Sequence, residues 1–162
     1  MLMTVSEYLR TSYRSDFEFL EGALVPRNVG EFDHSRLQAR ICTFLGNGES
    51  RWRILVALGP RVQVKPTRFR IPDVCVVLAP HTGEQILTRP PFLCIEILAK
   101  DDRMSEMQER IDDYLDFGVH SVWVFDPRKQ RAFVFTKGGM TEPTDRILRA
   151  DKITVPLDDL FA

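Results

Sequence analysis

The sequence predicts an α/β fold in which a mixed β-sheet is flanked by helices. Two apolar runs lie between Phe69 and Leu98, F-R-I-P-D-V-C-V-V-L and P-P-F-L-C-I-E-I-L, with the polar break H-T-G-E between them. Runs this short and this rich in Val, Ile, Leu, Phe and Cys are strands buried on both faces. Immediately afterwards the period changes: Met104, Met107, Ile111, Tyr114 and Leu115 form a stripe at helical spacing. Strand-like pairs stand on both sides of this centre, giving the order α-β-β-α-β-β-β-β-α-β-β followed by a short tail strand. That order implies a mixed sheet with helices packed against it.

The 162 residues suit one domain, 1–162, with a single core, and no repeat, low-complexity tract or linker divides them. A hydrophobic share of 44% with 28% charged residues excludes a disordered or fibrous class. The formal net charge of -1 gives no global attraction to nucleic acid, so any such binding must come from a local patch. Cys42, Cys75 and Cys94 lie in apolar runs without C-x-x-C spacing. They read as buried thiols in a reducing, cytoplasmic setting and not as a zinc site. The N-terminus lacks an apolar signal region, and no apolar run approaches the roughly 18 residues of a membrane span, so neither export nor a membrane is expected.

Taken in order, Thr4 is an N-cap and Glu7 completes a capping box for a short helix anchored by Val5, Tyr8 and Leu9. Phe17 to Pro26 reads as a hairpin turning at Glu21-Gly22, with Pro26 ending its second strand or keeping it at a sheet edge. Asp33 can cap a helix carrying Leu37, Ile41, Phe44 and Leu45 on one face, stopped by Gly46-Asn47-Gly48. Trp52 to Leu58 alternates as a strand, and after Gly59-Pro60 the segment Arg61 to Lys65 reads as its hairpin partner. After the two central strands, Asp101 or Asp102 can cap a helix from about 102 to 117 that Gly118 closes. Ser121 to Phe125 is a further apolar strand, Arg131 to Thr136 its antiparallel neighbour, Lys152 to Val155 the tail strand, and Leu157 to Leu160 a final turn.

The chemistry sits on the two central strands. Asp73 starts the first and Glu96 lies late in the second. A carboxylate inside C-I-E-I-L must be paired, hydrogen-bonded or bound to a metal, because leaving it without a partner costs several kcal/mol. Two readings follow for Glu96, a salt bridge to an arginine such as Arg103 or a cation shared with Asp73. For Asp73 the alternative is an Asx turn beside Pro72. Two carboxylates with a backbone carbonyl such as that of Ile97, and Lys100 close behind, are a minimal set for holding Mg2+ or Mn2+ against a phosphate. Arg61, Lys65, Arg68 and Arg70 lead directly into Asp73. They form either a solvated hairpin face or a phosphate-contacting surface. His81 and His120 share no ligand spacing with His34, so a histidine metal centre is not expected.

The segments I-P-D-V-C-V-V, P-P-F-L-C-I-E-I-L, R-M-S-E-M-Q-E-R-I-D-D-Y-L-D-F-G-V and V-W-V-F-D-P, together with F-E-F-L-E-G and His34 before the first long helix, resemble the Uma2 (DUF820) family of restriction-endonuclease-like proteins. That family is a branch of the PD-(D/E)xK nuclease superfamily, and the resemblance covers nearly the whole chain. It implies a restriction-endonuclease-like core and a Mg2+-dependent endonuclease hydrolysing DNA, with Asp73 and Glu96 as metal ligands and catalytic acids. Glu18 and His34 fall on accessory positions. The superfamily lysine two residues after the glutamate is replaced by Leu98, and Arg110 stands where the family commonly carries a lysine in the following helix. Lys100 or Arg110 therefore takes over the cationic role. Arginine can supply charge but not act as a base, and Arg110 can also pair with Glu106 four residues earlier. A DNA-binding protein that keeps the nuclease fold without cutting, and a structural or protein-interaction domain, are the alternative functions. DNA is the expected partner, and a homodimer follows if both strands of a duplex are cut.

Overall fold

The structure is a computed structural model that describes residues 2–12, 17–27 and 30–161. Helix α1 (Val5–Arg10) is started by the expected capping box, with Thr4 and Glu7 each bonding the other's backbone. A hairpin follows, β1 (Phe17–Leu20) and β2 (Ala23–Pro26), turning at Glu21 and Gly22 in positive-φ conformations. Helix α2 (Phe32–Asn47) packs Leu37, Ile41 and Leu45 into the core, and the short α3 (Glu49–Trp52) leads into β3 (Ile54–Leu58). Strands β4 (Val62–Lys65), β5 (Arg68–Arg70), β6 (Val74–Leu78) and β7 (Leu93–Ile97) precede α4 (Met104–Phe117). Gly118, at φ 115, ends α4 in the left-handed conformation that glycine takes at lowest cost. The chain closes with β8 (Ser121–Asp126), β9 (Arg131–Thr136), β10 (Gly139–Thr141), β11 (Ile147–Ala150), β12 (Ile153–Pro156) and α5 (Leu157–Phe161).

A six-stranded mixed sheet, in the order β10-β9-β8-β7-β6-β3, is the centre of the molecule, with β7 and β8 as its parallel pair. One face, including Val74, Val76, Ile95, Trp123 and Phe125, packs against α2, α5 and the β11-β12 hairpin. The opposite face, with Cys75, Cys94, Val122 and Val124, packs against α4 and β4. A four-stranded antiparallel sheet, β2-β1-β5-β4, stands beside it, and β2 is an edge, as Pro26 requires. Among the described residues no helix is long and apolar enough to cross a membrane. Cys42, Cys75 and Cys94 are free thiols, the last two buried.

Four expectations are corrected. β3 does not pair with β4: it lies along β6 over five residues, while the turn at Gly59, φ 55, carries β4 into the other sheet. In that position Ile54 of β3 is buried while Leu55 and Leu58 are exposed, whereas the alternating β4 seats Val62 and Val64 under α4. The first of the two apolar runs is divided at Pro72, so Arg68 and Arg70 belong to β5 and the four-stranded sheet. Neither aspartate caps its helix. Glu31 is the N-cap of α2, and Asp33 accepts the N–H of His34 at 2.7 Å. Arg103 is the N-cap of α4, and Asp102 closes the preceding turn by accepting the N–H of Ala99 at 2.8 Å. The turn expected at Leu157 to Leu160 is a helix with both leucines buried.

Candidate active site

The register between β6 and β7 brings the two acids together. Val74 lies opposite Ile95, Cys75 opposite Cys94 and Val76 opposite Leu93. Continued by one residue, that register sets Asp73 across from Glu96, and opposed residues in an antiparallel pair face the same side. Glu96 meets Tyr114 of α4, and Asp73 stands at the same end of the strands, between the N–H of Ile97 and His34 of α2.

Each carboxylate is held by one side. Asp73 Oδ2 accepts the backbone N–H of Ile97 at 2.7 Å and lies 3.4 Å from His34 Nε2. The carbonyl of Asp73 accepts Gln38 Nε2 at 2.9 Å, tying the strand start to α2. Glu96 is fully buried, and its Oε1 accepts the hydroxyl of Tyr114 at 2.8 Å, with Arg110 Nη1 3.7 Å away. The remaining oxygens, Asp73 Oδ1 and Glu96 Oε2, converge on one atom, Arg27 Nη2, at 2.9 and 3.0 Å. They are thus less than about 6 Å apart, within the reach of one hydrated divalent cation.

Behind this pair lies a third buried acid. Glu18 accepts the N–H of Ile71 at 2.8 Å and is bound by Arg110 at 2.6 and 2.7 Å and by Arg70 at 3.2 Å. Arg70 and Arg68 both bind Asp113 on α4, and Arg68 also reaches Glu109. The network joins β1, β5 and α4 and fixes the guanidinium of Arg110 beside Glu96. Buried charges are tolerated when each is paired in this way.

Electrostatics separate the two acids. Burial, reinforced by Asp73 and Glu18, pushes Glu96 up to about 8, against the pull of Arg27 and Tyr114. Burial also acts to raise Asp73, but His34 and Arg27 outweigh it and hold Asp73 below the usual carboxylate range. The same pairing raises His34, with burial opposing. Carboxylates driven apart by their surroundings are a mark of functional sites. A cleft of about 190 Å³ opens beside them, lined by Arg27, His34, Ile97, Arg103, Glu106 and Arg110 among others. A larger cavity of about 290 Å³ lies at the opposite end of the two strands, near Leu78, His81 and Phe92, and none of the clustered acids lines it.

The donor set fits magnesium or manganese. Among the described residues no three His, Cys, Asp or Glu side chains form a metal-holding group. Magnesium commonly needs only one or two carboxylates and completes its shell with water and substrate phosphate, and hard carboxylate oxygens favour it and manganese.

Of the residues singled out in the sequence, Asp73, Glu96, Glu18, His34, Arg70 and Arg110 are brought together. Lys100 is not: its side chain is 67% exposed, with Nζ 4.0 Å from Glu31. Arg110 pairs with Glu18 and not with Glu106. Ile97 serves Asp73 through its N–H, and the arginines meeting Glu96 are Arg27 and Arg110, while Arg103 lines the cleft. The basic run is divided. Arg61 stacks over Tyr8 and donates to the carbonyl of Thr11, Lys65 is exposed, and Arg68 and Arg70 are spent on internal acids. Sequence reasoning missed Arg27, Gln38, Asp113 and the polar role of Tyr114. Tyr114 alone carried a signal, lying one turn beyond Arg110 on the same helix face.

The family model Uma2, described as "Putative restriction endonuclease", matches residues 5–159. A solved structure described as a "putative nuclease belonging to DUF820", from Anabaena variabilis, has the same fold with a TM-score of 0.84. The two sequences are 20% identical, and the alignment covers 98% of this chain and 97% of that one. No curated protein matches the chain.

Proposed function

The chain belongs to the Uma2 family, and from that premise we propose that it is a metal-dependent endonuclease that hydrolyses phosphodiester bonds in DNA. The observation that carries the reading is the convergence of Asp73 Oδ1 and Glu96 Oε2 on one point beside an arginine-lined cleft. Those two oxygens would hold Mg2+ or Mn2+. Bound there, the ion would lower the pKa of water and offset the charge that builds on the phosphate oxygens.

The chain's own groups set the conditions for this. Asp73 is kept ionised by His34 and Arg27, so one ligand is ready at neutral pH. Glu96 is held in one rotamer by Tyr114 and by Arg110, itself locked on Glu18. His34, bearing a raised pKa, stands where it can donate to a phosphate oxygen at the cleft. The cationic role of the superfamily lysine falls to the arginines of the cluster, which stabilise charge without taking a proton.

That division of labour keeps a second reading in view: with Lys100 turned outward, the protein binds DNA in a nuclease-shaped cleft without cutting it. Single-turnover cleavage of plasmid and single-stranded DNA in Mg2+ and Mn2+ separates the two. Metal-dependent cutting that falls at least ~100-fold in Glu96→Gln, about 2.7 kcal/mol at the transition state, supports the nuclease. Equal residual cutting by both proteins would remove it. Linear product formed without a nicked intermediate would require two sites acting together, and hence two copies of the chain.

A further inference from the structure

Arg27 occupies the position at which a shared cation would sit. One nitrogen of its guanidinium bridges Asp73 and Glu96, and it uses the two oxygens that Ile97, His34 and Tyr114 leave to it. An ion bound through those oxygens and Arg27 Nη2 therefore exclude one another. Resting on the reading of Asp73 and Glu96 as the cation-binding pair, we propose that Arg27 is a resident counter-cation, displaced by the divalent ion into the adjoining cleft, where it contacts the substrate phosphate.

Three features favour displacement over a permanent ion pair. The first is anchorage. Asp73 and Glu96 are fixed at adjacent central strands, and Tyr114 and Arg110 ride on α4, whereas Arg27 follows Pro26 at the end of the edge strand β2. The second is space, because Arg27 itself lines the cleft of about 190 Å³ and has somewhere to go. The third is charge. Arg27 is the described residue bonded to both Asp73 and Glu96, so it is the group that offsets negative charge there until an ion arrives. Arg70 and Arg110 are committed to Glu18. Once displaced, a guanidinium is suited to phosphate, since its planar fork can donate two parallel hydrogen bonds.

The test compares wild type with Arg27→Met by calorimetric titration with Mn2+, by melting in EDTA and by single-turnover cleavage. The expected outcome is Mn2+ bound at least ~10-fold more tightly by the variant, a lower melting temperature in EDTA that recovers when Mn2+ is added, and cleavage at least ~10-fold slower at saturating Mn2+. Equal or weaker Mn2+ binding by a cooperatively melting variant would overturn the competition. Tighter binding with unchanged cleavage would overturn the phosphate contact. Should the variant fail to melt cooperatively, the Arg27 Nε–H signal of 15N-labelled wild type decides: it moves in step with Mg2+ saturation if Arg27 is displaced, and a fixed signal at saturation overturns the proposal. Absence of Mn2+ binding by both proteins would remove the cation-binding pair itself, whereas equal binding by both removes only the role of Arg27.

Discussion

Replacing Glu96 with glutamine should stabilise the metal-free protein, and by an amount that grows with pH. In the folded state Glu96 titrates at about 8, chiefly through burial, against an ordinary glutamate value of 4.5. Between those values the folded protein holds a proton that the unfolded chain has released, so stability falls as pH rises, by about 1.4 kcal/mol per unit. From pH 5 to pH 7 the loss assignable to Glu96 is about 3 kcal/mol. Glutamine keeps the shape and does not titrate; its one carbonyl oxygen can accept from Arg27 while its amide NH2 donates to the Tyr114 hydroxyl oxygen. Three other shifted groups lie nearby: Glu18, raised by burial against Arg27 and Arg70, also costs stability as pH rises, and does so in both proteins; the others are Asp73 and His34. Asp73 is held low, so its stabilisation is lost only as pH falls below the usual carboxylate range, outside this window. His34 is raised, so its contribution is complete below its unfolded value and is lost as pH climbs through the folded one. It does so in both proteins and cancels in the difference. The assay is urea denaturation of wild type and Glu96→Gln in EDTA at pH 5, 6, 7 and 8. A stability difference that stays constant from pH 5 to 8 would refute the reasoning, because it would mean Glu96 is not held neutral by its surroundings.

Further outcomes are expected. Arg110→Met should lose about 3 kcal/mol of stability by exposing the buried Glu18 to a missing partner, and cleavage with it. Lys100→Met should behave as wild type in denaturation and cleavage, and a large loss there would return the cationic role to Lys100. Tyr114→Phe removes a donor to a carboxylate, worth about 1.5 to 3 kcal/mol. Mn2+ affinity measured by calorimetry should fall roughly 10-fold, and an unchanged affinity would show that Tyr114 does not position Glu96. In DNA binding measured against salt, removing the exposed Lys65 together with Arg103 should lower the slope by about 1 to 2. Arg70→Met should instead appear as lost stability, since that residue is 3% exposed and its guanidinium is bound to Glu18 and Asp113.

The acids were legible in the sequence because each breaks a local rule. Glu96 interrupts an apolar strand and Asp73 opens one, and a charge in such a place demands a partner. The helix carrying Met107, Ile111 and Tyr114 was legible from its period, and the strand β8 from V-W-V-F. What stayed hidden was pairing across distance. Arg27 lies 46 residues from Asp73 and 69 from Glu96, and Arg110 lies 92 from Glu18. No composition or spacing links such positions, because the sheets bring them together only after folding. The same holds for β3, whose turn at Gly59-Pro60 is a hairpin signal by residue type while its partner, β6, lies beyond two intervening strands. The basic run also shows the limit of counting charge. Arg68 and Arg70 raise the local positive charge on paper, yet α4 returns Glu109 and Asp113 to neutralise them.

Crystals soaked in Mn2+ and measured for anomalous scattering test the cation-binding pair most directly. The expected result is a single strong peak between Asp73 Oδ1 and Glu96 Oε2, with the Arg27 guanidinium moved away from both. A map without a peak there at full Mn2+ saturation, with Arg27 still bridging the two acids, would contradict the metal site on which the nuclease reading depends.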